Sequence, residues 1–179
     1  MLRPLEDDCR LVQFAEPLSD DEYGELSKLL ETRPSVELRA YGSIQDLEFL
    51  RHFPRLKHFQ VDEASALNDL SGLRFLSTEL ESLAIGARLS KLLSLKPLSR
   101  FSGLRRLYVE GPIKDIDLIG VLTTLRDLTL RSITLGSLEI LRPLEHLLLL
   151  DIKLEVSGIL AICQLSAASV ISSSGWSGG

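Results

Sequence analysis

One short pattern constrains this chain more than any other. Leu104-Arg105-Arg106-Leu107-Tyr108-Val109 reads L-x-x-L-x-V, and fragments of the same shape recur along most of the sequence. Their last apolar position falls at Leu38, Val61, Ile85, Val109, Leu130, Leu149 and Val170, in steps of 23, 24, 24, 21, 19 and 21 residues. The position two before it is Val36, Phe59, Leu83, Leu107, Leu128, Leu147 and Ala168. A leucine stands three earlier again in every fragment but the first, where Arg33 interrupts, as an end unit can. The alternation inside each fragment has the period of two that a half-buried strand requires.

A second pattern fills the gaps. Leu92, Leu95, Leu98, Phe101 and Leu104 are spaced by three, and so are Ile44, Leu47, Leu50, Phe53 and Leu56. The same spacing continues through Ile113, Ile116, Ile119, Leu122 and Leu125, then Leu135 to Leu144, then Ile159, Ile162 and Leu165. Period three matches a 3₁₀ turn that buries one side chain per turn. A unit is therefore a short strand and a short helical return. Alone it cannot bury its apolar face, so the units must stack.

In this the chain resembles leucine-rich repeat proteins of the bacterial, internalin-like kind, over roughly residues 33–172. The resemblance implies an α/β, right-handed solenoid with a parallel sheet on its concave side and short helical or 3₁₀ returns on its convex side. It implies a non-catalytic scaffold whose concave face binds another protein. One departure stands out. The family places Asn or Cys three positions after the last strand leucine, whereas this chain has Tyr41, Ala64, Arg88, Pro112, Ile133 and Ile152 there. The asparagine ladder is missing, so the turn backbone needs other partners.

Before the units, residues 1–34 read as an N-terminal cap. Leu11-Val12-Gln13-Phe14 is a candidate strand, and a helix is expected over about 19–32. Ser19 and Glu22 make a capping box, Asp20 and Asp21 suit the positive helix end, and Tyr23, Leu26, Leu29 and Leu30 form one stripe ahead of Pro34. Units then fill 35–172. Residues 173–179 read as a flexible Ser/Gly tail. The stretch from Ser157 to Gly179 has no Asp, Glu, Lys or Arg, unlike the polar face of a usual end cap. A shortened chain end, copies joined end to end, or cover by the tail would each account for it.

Offsets from the strand leucines give the residues that point out of the concave sheet. Arg106, Tyr108, Glu110, Asp127, Thr129 and Arg131 gather at its centre, and Tyr and Arg are enriched at binding hot spots. The plainer reading of the same cluster is a solvated network of offsetting charges. Leu148, Leu150 and Ile171, with Val170 on the last strand, put apolar groups on a face expected to be wet. They imply either self-association, as in a homodimer, or a register slip in the last units.

Other classes find little support. No G-x-S-x-G, H-E-x-x-H or phosphate-binding loop occurs, so no enzyme is expected. His58 and His146 fall about 19 Å apart at four strand spacings, too far for one metal, and no cofactor is expected. The net charge of −5 gives no pull toward nucleic acid, and Glu110, Asp115 and Asp117 interrupt the basic group Arg100, Arg105, Arg106 and Lys114. Cys9 and Cys163 lie near opposite ends of the chain and read as reduced thiols. The first ten residues lack a secretory pattern, and Leu147 to Leu150 is too short to span a bilayer, so a cytoplasmic protein is expected.

Overall fold

Strands and 3₁₀ turns alternate along nearly the whole chain. The computed structural model describes residues 6–86, 91–133, 135, 137–156 and 159–166, with the backbone alone for 153–156 and 159–166. In chain order the elements are β1 (Leu11–Phe14), α1 (Asp20–Glu31), β2 (Glu37–Ala40), β3 (His58–Asp62), β4 (Ser82–Gly86), β5 (Leu93–Ser94), β6 (Arg106–Glu110), β7 (Ile113–Lys114), β8 (Asp127–Arg131), β9 (Leu149–Val156) and β10 (Ile159–Ser166). The 3₁₀ segments Glu48–His52, Ser71–Phe75, Lys96–Arg100, Ile116–Val121 and Leu138–Leu141 return the chain between successive coils.

One sheet, in the order β1-β2-β3-β4-β6-β8-β9-β10, carries the concave side. Every neighbouring pair from β1 to β9 is parallel. This is the α/β leucine-rich-repeat solenoid that the pattern implies. Strand β10 departs from it by pairing antiparallel with β9, from Ile159 opposite Val156 to Ser166 opposite Leu149. The expected return through Ile159, Ile162 and Leu165 is thus a strand, because the chain turns back after Val156 and runs beside the last coil.

The core lies between sheet and returns. Leu38, Phe59, Leu83, Leu107, Leu128 and Leu150 form one inward row, and Ala40, Val61, Ile85, Val109, Leu130 and Ile152 form the next. All twelve are buried. These rows correct the expected register at both ends. In the last unit Leu147 supplies the first leucine of the pattern, so Leu150 and Ile152 face inward and the step from Leu130 is 22 residues. Leu150 is therefore a core residue, 4% exposed, and cannot belong to an outer patch. In the first unit the small Ala40, not Leu38, stands beside Val61. Val170 and Ile171, with the tail 173–179, lie outside the described residues.

Helix α1 packs over the first coils. Its capping box forms: the Glu22 N–H donates to Ser19 Oγ at 3.3 Å and the Ser19 N–H donates to the Glu22 carboxylate at 2.8 Å. Tyr23, Leu26 and Leu30 are its buried stripe. Rings concentrate here. Tyr23 stacks on Phe49 at 5.4 Å, Phe14 meets Phe49 edge-on at 5.2 Å, and Phe49 reaches Phe59 at 6.2 Å.

The turns after β2, β3, β6 and β8 share a left-handed residue two positions beyond the inward row. Gly42, Glu63, Gly111 and Ser132 hold φ of 71°, 48°, 105° and 54°. The Glu63 N–H donates to Gly86 O and the Gly111 N–H to Arg131 O, both at 3.2 Å, which ties each turn to the next coil. A non-glycine residue in this region costs on the order of 1–2 kcal/mol. Ser132→Gly should therefore raise stability by about 0.5 kcal/mol after the entropy of glycine is counted, and Gly111→Ala should lower it by about 1–2 kcal/mol. Urea midpoints shifting in the same direction for both variants would contradict this turn geometry.

Candidate protein-binding surface

Because side chains alternate along a strand, each strand shows three positions on the concave face. The register lines up Glu37, His58, Ser82, Arg106, Asp127 and Leu149 in the first file, and Arg39, Gln60, Ala84, Tyr108, Thr129 and Asp151 in the middle file. The third holds Asp62, Gly86, Glu110 and Arg131. The six central candidates thus share one face, but their pairings are not those of a single network.

Tyr108 donates its hydroxyl to the Glu110 carboxylate, and its ring leans over Gly86. A Cβ at Gly86 would come within 2.7 Å of Tyr108 Cε1, so the glycine makes room for the ring. Burial and the Glu110 carboxylate push the phenol up from 10.0 to about 12. Arg131 turns away from Glu110 and pairs with Asp151 at 2.6 Å. Thr129 lies between Tyr108 and Asp151 in the middle file. Arg106 is opposite Asp127 in the register, yet no ion pair joins them among the described residues. Instead its guanidinium extends across Ser82 to His58 Nδ1, at 3.4 Å. Burial, then the Arg106 charge, holds the His58 imidazole below its usual range. A neutral ring accepts that bond on Nδ1 and keeps its proton on Nε2.

A second network was not singled out from the sequence. Arg39 forks onto Asp62 with bonds of 2.8 and 3.0 Å, and it also donates to Gln13 at 3.0 Å. Gln60 donates to Asp62 at 2.7 Å, and the Arg39 guanidinium lies 4.6 Å from the Tyr41 ring centre. The register sets Gln60, not Asp62, opposite Arg39, so the ion pair runs diagonally across the two strands. Glu37, beside it, is half-buried, which raises its carboxyl, while Arg106 and Arg39 partly offset that rise.

Toward the C-terminal end, Leu148 and Leu149 are 58% and 48% exposed. Among the described residues, the apolar patch is these two adjacent leucines, with Leu150 behind them in the core. His146 precedes β9 and shares no file with His58. Among the described residues no three His, Cys, Asp or Glu side chains gather as metal ligands, and no helix is long and apolar enough to cross a membrane.

The phenol gives a direct test of the central geometry. Tyr108 should titrate near pH 12 by absorbance, and Glu110→Gln should bring it down toward 10.0. The folded value is the higher one, so any stability the phenol contributes is complete below its ordinary value and lost as pH rises through the folded one. A titration unmoved by Glu110→Gln would mean that the carboxylate does not hold the hydroxyl.

No protein-family model matches the chain, and no curated protein does. Among solved structures, an internalin (inlF) from Listeria monocytogenes is similar, with 18% sequence identity and a TM-score of 0.48, over 73% of this chain and 44% of that one. The chain spans less than half the length of that internalin. The assignment to the leucine-rich-repeat fold stands on the strands and returns of this chain itself.

Proposed function

We propose that the protein is a non-catalytic scaffold that binds another protein through the concave face of its solenoid. One observation carries this reading. At the centre of the sheet a half-buried tyrosine is fixed by Gly86 and Glu110, next to a guanidinium whose hydrogen-bond partner among the described residues is a neutral imidazole. A rigid aromatic beside a cation without an ion pair is the residue chemistry of binding hot spots. The paired charges around it, Arg39 with Asp62 and Arg131 with Asp151, supply shape and specificity more than affinity.

A photo-crosslinking residue at Thr129 should capture a defined partner that the same residue at convex Ser99 does not capture. Tyr108→Ala and Arg106→Ala should each weaken that capture by about tenfold, or 1.4 kcal/mol. Equal capture from both positions would sink the reading. A second reading is self-assembly, favoured by the exposure of Leu148 and Leu149. It predicts a mass in light scattering that doubles from 19.9 kDa with concentration and returns to 19.9 kDa when both leucines become serine.

A further inference from the structure

The rim where strands β6, β8 and β9 begin gathers exposed leucines and cations that make no ion pair among the described residues. The backbone sets them side by side. Arg126 N–H donates to Arg105 O at 2.8 Å, and the N–H groups of Leu148 and Leu149 donate to Arg126 O at 2.7 and 3.0 Å. Arg105 and Arg126 are therefore direct neighbours on adjacent coils, an arrangement that like charges disfavour. Several guanidiniums elsewhere on the molecule pair with carboxylates, as Arg39 does with Asp62, Arg74 with Glu48 and Arg131 with Asp151. Among the described residues no carboxylate lies within ion-pair distance of Arg105, Arg106 or Arg126. All three are exposed. With a net charge of −5, this local surplus of cations opposes the sign of the whole chain.

Next to the cations, Leu148 and Leu149 stand more than two-fifths exposed. Two adjacent apolar side chains beside three cations without ion pairs among the described residues match a partner that brings carboxylates and apolar anchors together. Half-buried Asp127 lies between Arg106 and Leu149 in the first file. With one carboxylate among three guanidiniums, the rim stays net positive.

We propose that the rim formed by Arg105, Arg106, Arg126, Leu148 and Leu149 docks an acidic segment of another protein that carries leucine or phenylalanine anchors. This rests on the concave-face reading and adds the end of the face and the partner chemistry.

The test is fluorescence anisotropy with a short labelled peptide alternating Asp or Glu with Leu or Phe. Its controls are the same peptide with Lys for every acid and a single-stranded thymidine oligonucleotide. The full chain should bind the acidic peptide, more weakly at high salt. Arg105→Ala with Arg126→Ala should cost about tenfold in affinity, and Leu148→Ser with Leu149→Ser a similar factor. These positions are on the surface, and unchanged circular dichroism would show that the variants fold.

The proposal is overturned if the acidic peptide fails to bind or if the lysine peptide or the oligonucleotide binds as well. It is also overturned if the rim variants bind the acidic peptide as the parent does. A dependence on Tyr108 without dependence on the rim would leave the concave-face reading standing and remove this one. Self-association abolished by the two leucine substitutions would likewise overturn it, by assigning the rim to a second copy of the chain.

Discussion

Gly72→Ala is expected to cost about 3 kcal/mol or more, the upper end of what an overpacked core loses. Gly72 is the second residue of the 3₁₀ return Ser71–Phe75 and is buried against the return of the preceding coil. A Cβ there would stand 2.3 Å from the Leu47 carbonyl oxygen, 2.4 Å from its carbon and 2.6 Å from Leu47 Cβ. Two of those atoms are backbone, so no rotamer change relieves the clash. The Leu47 carbonyl also accepts the Leu50 N–H at 3.1 Å and cannot swing away without breaking its own turn. The two coils must move apart, and with them the packing of Leu47, Leu50, Leu70 and Leu73, each at most 1% exposed.

Each coil of a solenoid holds only its neighbours, so a gap at one interface uncouples everything on either side. Against a typical domain stability of about 5–15 kcal/mol this is a severe loss. Gly24→Ala is the internal control. It lies within α1, where an added Cβ meets nothing within 4 Å, and alanine should gain about 0.5–1 kcal/mol in a helix. Urea melts followed by circular dichroism should move the two midpoints in opposite directions. An unchanged midpoint for Gly72→Ala would mean that the returns do not pack as closely as described.

That glycine also shows where the sequence was hard to read. Repeats of L-x-x-L-x-L announce a stacked architecture because the same register reappears many times. Contacts between coils are set by three-dimensional stacking, and nothing in Ser71-Gly72 alone says which backbone lies above it. The errors in register have equally local causes. Leu147 to Leu150 is a run of four leucines, so L-x-x-L-x-L fits at Leu144-Leu147-Leu149 as well as at Leu147-Leu150-Ile152. Only the second choice alternates apolar Leu150 and Ile152 around polar Asp151, a cue the leucine count hides. At the other end Ala40 is small enough to pass for a turn residue, yet it is fully buried beside Val61.

The binding surface was legible as a list of outward positions but not as a set of pairings. Arg131 could equally have met Glu110, its neighbour in the register, and side-chain reach alone does not choose. In the structure the Tyr108 hydroxyl takes one oxygen of Glu110, and Arg131 pairs with Asp151 instead. Likewise, the loss of Asp127 as a partner for Arg106 reflects the space over Ser82, which lets the guanidinium extend toward His58. Small residues on β4 therefore decide what the large ones on β3 and β6 touch. Leucine spacing carries no trace of this.

Phe59→Ala is expected to cost about 3–5 kcal/mol, the range for deleting a buried ring. Its side chain is fully buried in the inward row between Leu38 and Leu83. It is also where two kinds of core meet. On the cap side its ring reaches Phe49, which stacks on Tyr23 and meets Phe14 and Phe53 edge-on. On the other side the layers are aliphatic, Leu83 and then Leu107. Such ring pairs add about 0.5–1.5 kcal/mol beyond the area they bury, and the cavity would open at the joint itself.

The effect should therefore be uneven along the chain. Amides of α1 and β2 should lose hydrogen-exchange protection at lower denaturant than those of β6 and β8, since the first coils are held to the rest through this layer. Phe101→Ala is the comparison, equally buried but set among leucines and without a ring partner among the described residues. It should lower stability by a similar amount while leaving the cap as protected as its neighbours. If Phe59→Ala instead releases cap and repeats together, the aromatic cluster is an ordinary part of one continuous core. The joint described here would then have no separate standing.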